Sequence, residues 1–261
     1  MELREILEKL SKGEISVPIA EKELRLFSIE YVEKNLAKMD TLRELRSGIP
    51  EVILSQGKEF ADLYKIIIAT VSKKGFTIIS KVSPEYMQKL CEKLGTEKLK
   101  IEKGINTLLV KSKSHRFPKK CGKVGILCAG TSDIKIAEEA KIMAEVMGCD
   151  TLVEYDVGIA GIHRTLKAVS NMIHSSVHII IVVAGMEGAL GSVVSSITDI
   201  PVIGVPTSIG YGFGSDGVAA LSSMLQTCSM GMTVVNIDNG IGAGAFAAMV
   251  ANKMSSRSKS D

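Results

Sequence analysis

Three side chains capable of proton transfer or covalent chemistry stand out by their surroundings: Glu187 among glycines in AGMEGALG, His163 beside Arg164 in DVGIAGIHRT, and Cys228 ahead of MTVVNID. Each sits next to a short apolar run. A carboxylate in a glycine-rich loop can act as a base or can start a helix, where its charge suits the dipole. His163 could serve as general acid or base, and Arg164 could clamp a phosphate or carboxylate. An isolated His-Arg pair is weak support by itself.

The anion chemistry is expected earlier, at Gly130, Thr131, Ser132 and Asp133, where a glycine, two hydroxyls and a helix start coincide. That is the anatomy of a phosphate-binding helix N-terminus, although Ser132 or Asp133 could equally be a cap. Farther on, Gly210, Tyr211 and Gly212 offer close backbone approach and a ring, and Asp238 with Asn239 forms an acidic turn before GIGAGA. Gly240, Gly242 and Ala245 match a dinucleotide fingerprint, but only 16 residues follow Ala245, too few for the strand and distal acid that the fingerprint requires. These small residues are read instead as close-packing positions against sheet, helix or a neighbouring subunit.

The elements that must position these groups are legible as five β-branched runs, KVGILCA, TLVEYDV, VHIIIVVA, PVIGVPT and MTVVNID. Helical segments alternate with them, at Ile134 to Met147, Ile162 to Ile173, Ala189 to Ile197, Gly217 to Cys228 and Gly242 to Met254. The pattern predicts an α/β domain with a doubly wound, five-strand parallel sheet of flavodoxin-like, three-layer form. Ligands of such sheets lie at the carboxyl ends of the strands. His174 and His178 fall at the opposite end and are read as structural, as is His115.

The chain before this region is different in composition. Residues 1 to 120 hold 24 Lys and Arg against 17 Asp and Glu, with 6 glycines; residues 121 to 261 hold 8 against 12, with 18 glycines. The seam is placed in the basic run KSKSHRFPKK, giving an N-terminal accessory domain at 1–118, a second domain at 119–256 and a disordered tail at 257–261. The first domain is read as a small α/β or α+β unit. Helical spacing covers Leu3 to Leu10, and a second amphipathic segment runs through Ile19, Leu24, Leu26 and Phe27. Then come a strand at EVILS, a helix over Phe60 to Val71, a strand over Phe76 to Ser80, a helix capped by Ser83, and a hairpin around Gly104. Arg43 and Arg46 are read as solvated.

A net charge of +3 gives no reason to expect nucleic acid, and no apolar run approaches the roughly 18 residues of a membrane span. The alternating charges of MELREILEKL do not resemble a secretory signal, so a cytoplasmic location is expected. Cys91, Cys121, Cys128, Cys149 and Cys228 show no CxxC spacing and predict neither a disulfide frame nor a zinc site.

GTSD, AGIHRT, the glycine-rich third loop and PVIGVP resemble the phosphoribosylaminoimidazole carboxylase (PurE) fold over roughly residues 123 to 254. GTSDIKIAEEA, EYDVGIAGIHR, VAGMEGALGSVV, VPTSIGYG, VVNIDNGIGAG and the upstream KMDTLRELRSGIPEVILSQGK resemble the LarB family more closely. Purine carboxylases carry a histidine near Ala189 and lack the Glu187 pattern. Lys135 and Gly191 stand where LarB proteins often have proline. The resemblance implies carboxylation of the pyridinium ring of nicotinic acid adenine dinucleotide by CO2 and cleavage of its phosphoanhydride. The products are pyridinium-3,5-biscarboxylic acid mononucleotide and AMP, on the way to a nickel-pincer nucleotide.

Cys228 matches the family's cysteine and is expected to add to the ring as nucleophile. Glu187 or His163, with Asp133, would assist proton transfer. Gly130, Thr131, Ser132, Asp133, Asp156, Arg164, Gly185, Met186, Gly210, Tyr211, Gly212 and Asp238 would contact the dinucleotide. Mg2+ or another divalent ion would fall to Asp156, Glu187 or Asp238, with Glu187 as base and Glu187 as ligand left unseparated. The family forms homo-octamers. The alternatives are an aminoimidazole ribonucleotide carboxylase or mutase, and a non-catalytic nucleotide-binding module.

Overall fold

A computed structural model describes residues 3–24, 30–32, 37–39, 43–95 and 98–257. The chain divides into two compact units, one of residues 1–102 and 108–115, the other of residues 103–107 and 116–261. The division near residue 115 falls inside the basic run KSKSHRFPKK.

In the first unit, helices α1 (Leu3–Ser11) and α2 (Val17–Leu24) precede an antiparallel ribbon, β1 (Glu30–Val32) with β2 (Ala37–Met39). This ribbon was not foreseen, because the apolar residues up to Phe27 read as an amphipathic helical segment and each strand is only three residues long. Leu26 and Phe27 lie outside the described residues, as does the side chain of Arg46. After a short helix α3 (Arg43–Ser47), strand β3 (Val52–Leu54) and β4 (Phe76–Ser80) run parallel, joined by the crossover helix α4 (Phe60–Lys74). Helix α5 (Pro84–Leu94) begins at Ser83, whose hydroxyl accepts from the Tyr86 N–H (3.2 Å), with Pro84 in the first turn where no donor is missed. Strands β5 (Leu99–Lys103) and β6 (Leu108–Ser112) complete a mixed sheet of order β3-β4-β6-β5. Leu63, Ile67, Met87 and Leu90 of the two long helices close over Ile79, Leu108 and Val110 on one face.

The second unit has the expected five parallel strands: β7 (Lys123–Cys128), β8 (Asp150–Glu154), β9 (Ile179–Ala184), β10 (Val202–Pro206) and β11 (Met232–Val234). Their order is β11-β10-β9-β7-β8. All six residues of β9 are buried, which explains why IIIVVA reads as a continuous apolar run and not as an alternation. Helices α6 (Ile134–Val146) and α10 (Gly240–Arg257) pack together on one face; residues 258–261 lie outside the described residues. On the other face lie α7 (Ile162–His174), α8 (Ala189–Ser196) and α9 (Val218–Leu225), which contribute Val169, Met172, Leu190, Val194 and Met224 to a core with Leu127, Ile180 and Val182.

The small residues of GIGAGA serve the α6–α10 contact. A Cβ on Gly244 would stand 2.4 Å from the Ala140 carbonyl oxygen, so the helices can touch only where it is absent. No helix among the described residues is long and apolar enough to cross a membrane.

Candidate functional site

Strand order reverses between β7 and β9, and the loops leaving their carboxyl ends must diverge to opposite faces. A cleft of about 320 Å³ opens there, lined chiefly by small and apolar side chains, including Ala129, Ile159, Ala160, Ala184, Ala189 and Leu190. Its polar groups are Ser132, Asp133 and Glu187.

Asp133 closes a short 3-10 turn, Thr131–Asp133, that runs directly into α6. Its carboxylate is buried and fully engaged. The Thr207 hydroxyl donates to Oδ1 (2.6 Å) and the Gly130 N–H to Oδ2 (3.0 Å), with the Gly185 backbone also contributing. Burial pushes this carboxyl above its ordinary range, and these hydrogen bonds pull it back down. Asp133 thus ties three loops together, those after β7, β9 and β10.

Thr207 is the site residue that reading the chain did not single out. It is fully buried, its N–H donates to the Ala184 carbonyl (3.0 Å), and its hydroxyl also accepts weakly from the Ile209 N–H (3.4 Å). The signal that could have found it is a hydroxyl ending an otherwise apolar strand, PVIGVPT.

The other loops are braced in the same manner. The Ser208 N–H donates to Asp238 Oδ1 (2.9 Å), and the Asp238 N–H donates to the Pro206 carbonyl (2.9 Å). The Arg164 guanidinium, in the first turn of α7, pairs with Asp156, and both side chains are partly exposed. Four non-glycine residues in these loops have left-handed backbone: Asp156 (φ 56°), Met186 (48°), Asp216 (59°) and Asp238 (56°). Gly185 permits the tight fit of two loops, since a Cβ there would stand 2.3 Å from the Ile209 carbonyl and 2.6 Å from Thr207 Oγ1.

The structure brings Gly130, Ser132, Asp133, Gly185, Met186 and Glu187 together around the cleft. Thr131 belongs to the same turn, and Gly210 adjoins the cleft through Met186, whose backbone is 3.6 Å from a Cβ built at Gly210. Tyr211 and Gly212 continue that loop, Tyr211 with 80% of its surface exposed. His163 is exposed on the first turn of α7 and does not line the cleft. No three His, Cys, Asp or Glu side chains among the described residues converge on a point that could hold a metal ion. Asp156 is paired with Arg164 and Asp238 with a backbone amide, so with Glu187 they do not make a protein-built cation site.

Cys228 is exposed, but not in this cleft. It lies between α9, which returns from the carboxyl to the amino edge of the sheet, and β11, whose preceding Gly231 carbonyl accepts from Val202 at the start of β10 (3.0 Å). Within one chain, therefore, the thiol and the cleft stand at opposite edges of the sheet, roughly 15 Å apart at strand rise. The cysteine nearest the cleft is Cys128, which is buried and donates to the Gly130 carbonyl (3.2 Å). Burial, followed by the nearby carboxylates of Asp133, Asp156 and Glu138, pushes its thiol up to about 12, so it stays protonated and is unsuited to nucleophilic attack.

Comparison with known proteins agrees with this architecture. Residues 123–261 match the AIR carboxylase family, and residues 31–108 match the LarB/PurE-like N-terminal domain. An uncharacterized protein of Methanocaldococcus jannaschii is 47% identical over 97% of this chain and 98% of its own length. An N5-carboxyaminoimidazole ribonucleotide mutase of the same organism is 35% identical over 47% of this chain and 74% of its own, and that of Thermotoga maritima is 30% identical over 49% and 74%. With a cleft at the switch point of an AIR carboxylase sheet and a LarB-type domain ahead of it, the chain belongs to the LarB family of PurE-like carboxylase and mutase enzymes.

Proposed function

We propose that this enzyme carboxylates the pyridinium ring of nicotinic acid adenine dinucleotide and hydrolyses its phosphoanhydride. The observation that carries the reading is the cleft itself: it presents Glu187 beside the Thr131–Asp133 turn that opens α6, and its lining contains no histidine. Ala189 occupies the place where the purine carboxylases, by resemblance, have one. The 31–108 match to a LarB-type domain points the same way, whereas the purine-type mutases match under half of the chain.

An electron-poor pyridinium cannot attack CO2. Addition of the Cys228 thiolate forms a C–S bond and places the electron pair on the ring as an enamine, whose carbon then attacks CO2 to form a C–C bond. Glu187 removes the proton from that carbon, the C–S bond breaks, and the thiolate leaves as the ring regains aromaticity. Water then attacks the phosphoanhydride, releasing AMP and pyridinium-3,5-biscarboxylic acid mononucleotide. Apolar walls from Ala129, Ala160, Ala184 and Leu190 suit CO2 and keep water from the enamine. The Thr131–Asp133 turn supplies N–H donors for a phosphate, as expected at a helix start.

Cys228 reaches this chemistry from a second copy of the chain. Leu225 and Met230 flank the thiol with 65% and 91% exposure, and Tyr211 and Phe213 stand uncovered beside the cleft. Such apolar surface at both edges suits association of copies into the homo-octamer that the family implies.

The test is incubation of the purified protein with the dinucleotide and dissolved CO2, followed by mass measurement of the products. Wild type should yield AMP and the biscarboxylated mononucleotide, and Cys228→Ala should yield no carboxylated product. Unchanged carboxylation by Cys228→Ala, or turnover of an aminoimidazole ribonucleotide in place of the dinucleotide, would overturn the reading.

A further inference from the structure

The Gly130–Ile134 turn has a second cavity on its other flank, about 520 Å³, lined by Lys103, Gly104, Ile105, Ile134, Glu138 and Tyr155. One wall is the connection between β5 and β6, whose residues Lys103–Thr107 pack as part of the second unit. The connection is tight, with the Gly104 N–H donating to the Thr107 carbonyl (2.8 Å). It is pinned to α6 by Asn106, whose Nδ2 donates to the buried Glu139 (3.0 Å). The opposite wall is the first turns of α6 and Tyr155, the residue after β8.

The cavity combines four kinds of contact. Tyr155 keeps 37% of its surface exposed while its hydroxyl donates to Glu138, which fixes the ring in place. Ile105 adds an exposed apolar edge. Glu138 offers carboxylate oxygens of the kind that accept from sugar hydroxyls. Lys103 is exposed and makes no ion pair among the described residues. An aromatic face, an acceptor and a cation in one open groove match a base, a ribose and a phosphate.

The two cavities share their dividing wall. Asp133 lines the cleft and Ile134 the groove; Gly158 lines the cleft, and Tyr155, three residues earlier, the groove. A ligand with two nucleotide halves can straddle the turn with one half on each side.

We propose that this groove holds the adenylate half of the dinucleotide, with the base against Tyr155 and Ile105, the ribose at Glu138 and the phosphate at Lys103. The assignment rests on the reaction proposed above for its substrate, but its test does not depend on turnover.

AMP and adenosine binding to the full chain are measured by calorimetry, with dinucleotide kinetics alongside. AMP should bind the wild type, and Tyr155→Ala should weaken it about tenfold or more, as expected for loss of a stacking face. Tyr155→Phe, which keeps the ring but loses the hydroxyl that donates to Glu138, should bind AMP more tightly than Tyr155→Ala does. Lys103→Ala should weaken AMP but leave adenosine unchanged. In turnover both weakening variants should raise KM for the dinucleotide and leave kcat in place. No AMP binding by wild type, or AMP binding indifferent to both Tyr155→Ala and Lys103→Ala, overturns the proposal. If these variants behave as stated while wild type carboxylates no dinucleotide, the groove stands as an adenylate site and the proposed reaction falls.

Discussion

Cys128 and Cys228 show how position decides what a thiol can do. Cys128 ends the first strand of its sheet, buried beside Asp133, and ionises only at about 12 against an ordinary 9.0. A group whose folded value is raised contributes its full stabilisation below the unfolded value and loses it as pH climbs toward the folded one. Wild-type stability should therefore gain no pH dependence from Cys128 below pH 9 and fall above it by about 1.4 kcal/mol per pH unit from this thiol alone. Cys149, raised to about 11 by burial, adds a second such decline. Urea unfolding at several values between pH 8 and 10.5 checks this: Cys128→Ala should show a shallower decline than wild type, and equal slopes would contradict it. Composition and spacing alone do not explain why Cys128 is inert, because CA before GTSD and TC before SMG look alike until burial separates them; only the resemblance singled out Cys228 as the nucleophile.

At the level of elements, the site is held by loops that fit without slack, and Gly185 is one of the tightest points. A methyl group there meets backbone oxygen at 2.3 Å, which cannot move without shifting the strand-end loop that carries Ile209. Gly185→Ala should destabilise the second unit by about 1 to 3 kcal/mol and reduce turnover more than the Ser83→Ala cap variant of comparable cost in the first unit. Thermal unfolding and product assays on both variants check the comparison. The strands themselves were legible, since a strand covered by helices on both faces must be apolar throughout, as in Ile179 to Ala184. Helix boundaries were readable where composition changes sharply, as at Ser83-Pro84. What the sequence hides is the bracing between loops: Thr207 and Asp133 are 74 residues apart, and nothing local in either segment announces the pair.

For the molecule as a whole, the role proposed for Cys228, taken with its distance from the cleft, calls for a second copy of the chain. If the thiol comes from a neighbouring copy, two inactive variants can repair each other. Cys228→Ala supplies an intact cleft and Glu187→Gln an intact thiol. Oligomers coexpressed from equal amounts should recover about a quarter of wild-type activity, because each site draws the right cleft half the time and the right thiol half the time. Coexpression with two different tags and tandem purification checks that both chains are present. Mixed oligomers as inactive as their parents would place thiol and cleft in one chain. The sequence showed the cysteine and the carboxylate, and their order, Glu187 after one parallel strand and Cys228 before another, already implies opposite ends of the sheet; what chain order does not show is whether a helix or loop folds back to close that gap.

The left-handed residues Asp156, Met186, Asp216 and Asp238 occur one to a loop after four successive strands. Glycine would occupy each of those conformations at lower cost, by about 1 kcal/mol apiece. Retaining side chains there means that the carboxyl edge carries a standing conformational debt, heavier than that of the amino edge, where Cys121 and Ser176 take the same conformation. Selection for heat resistance alone would erode the carboxyl edge first, so a more rugged form of this protein, reached without regard to turnover, would be expected to become a worse enzyme before it became a differently folded one.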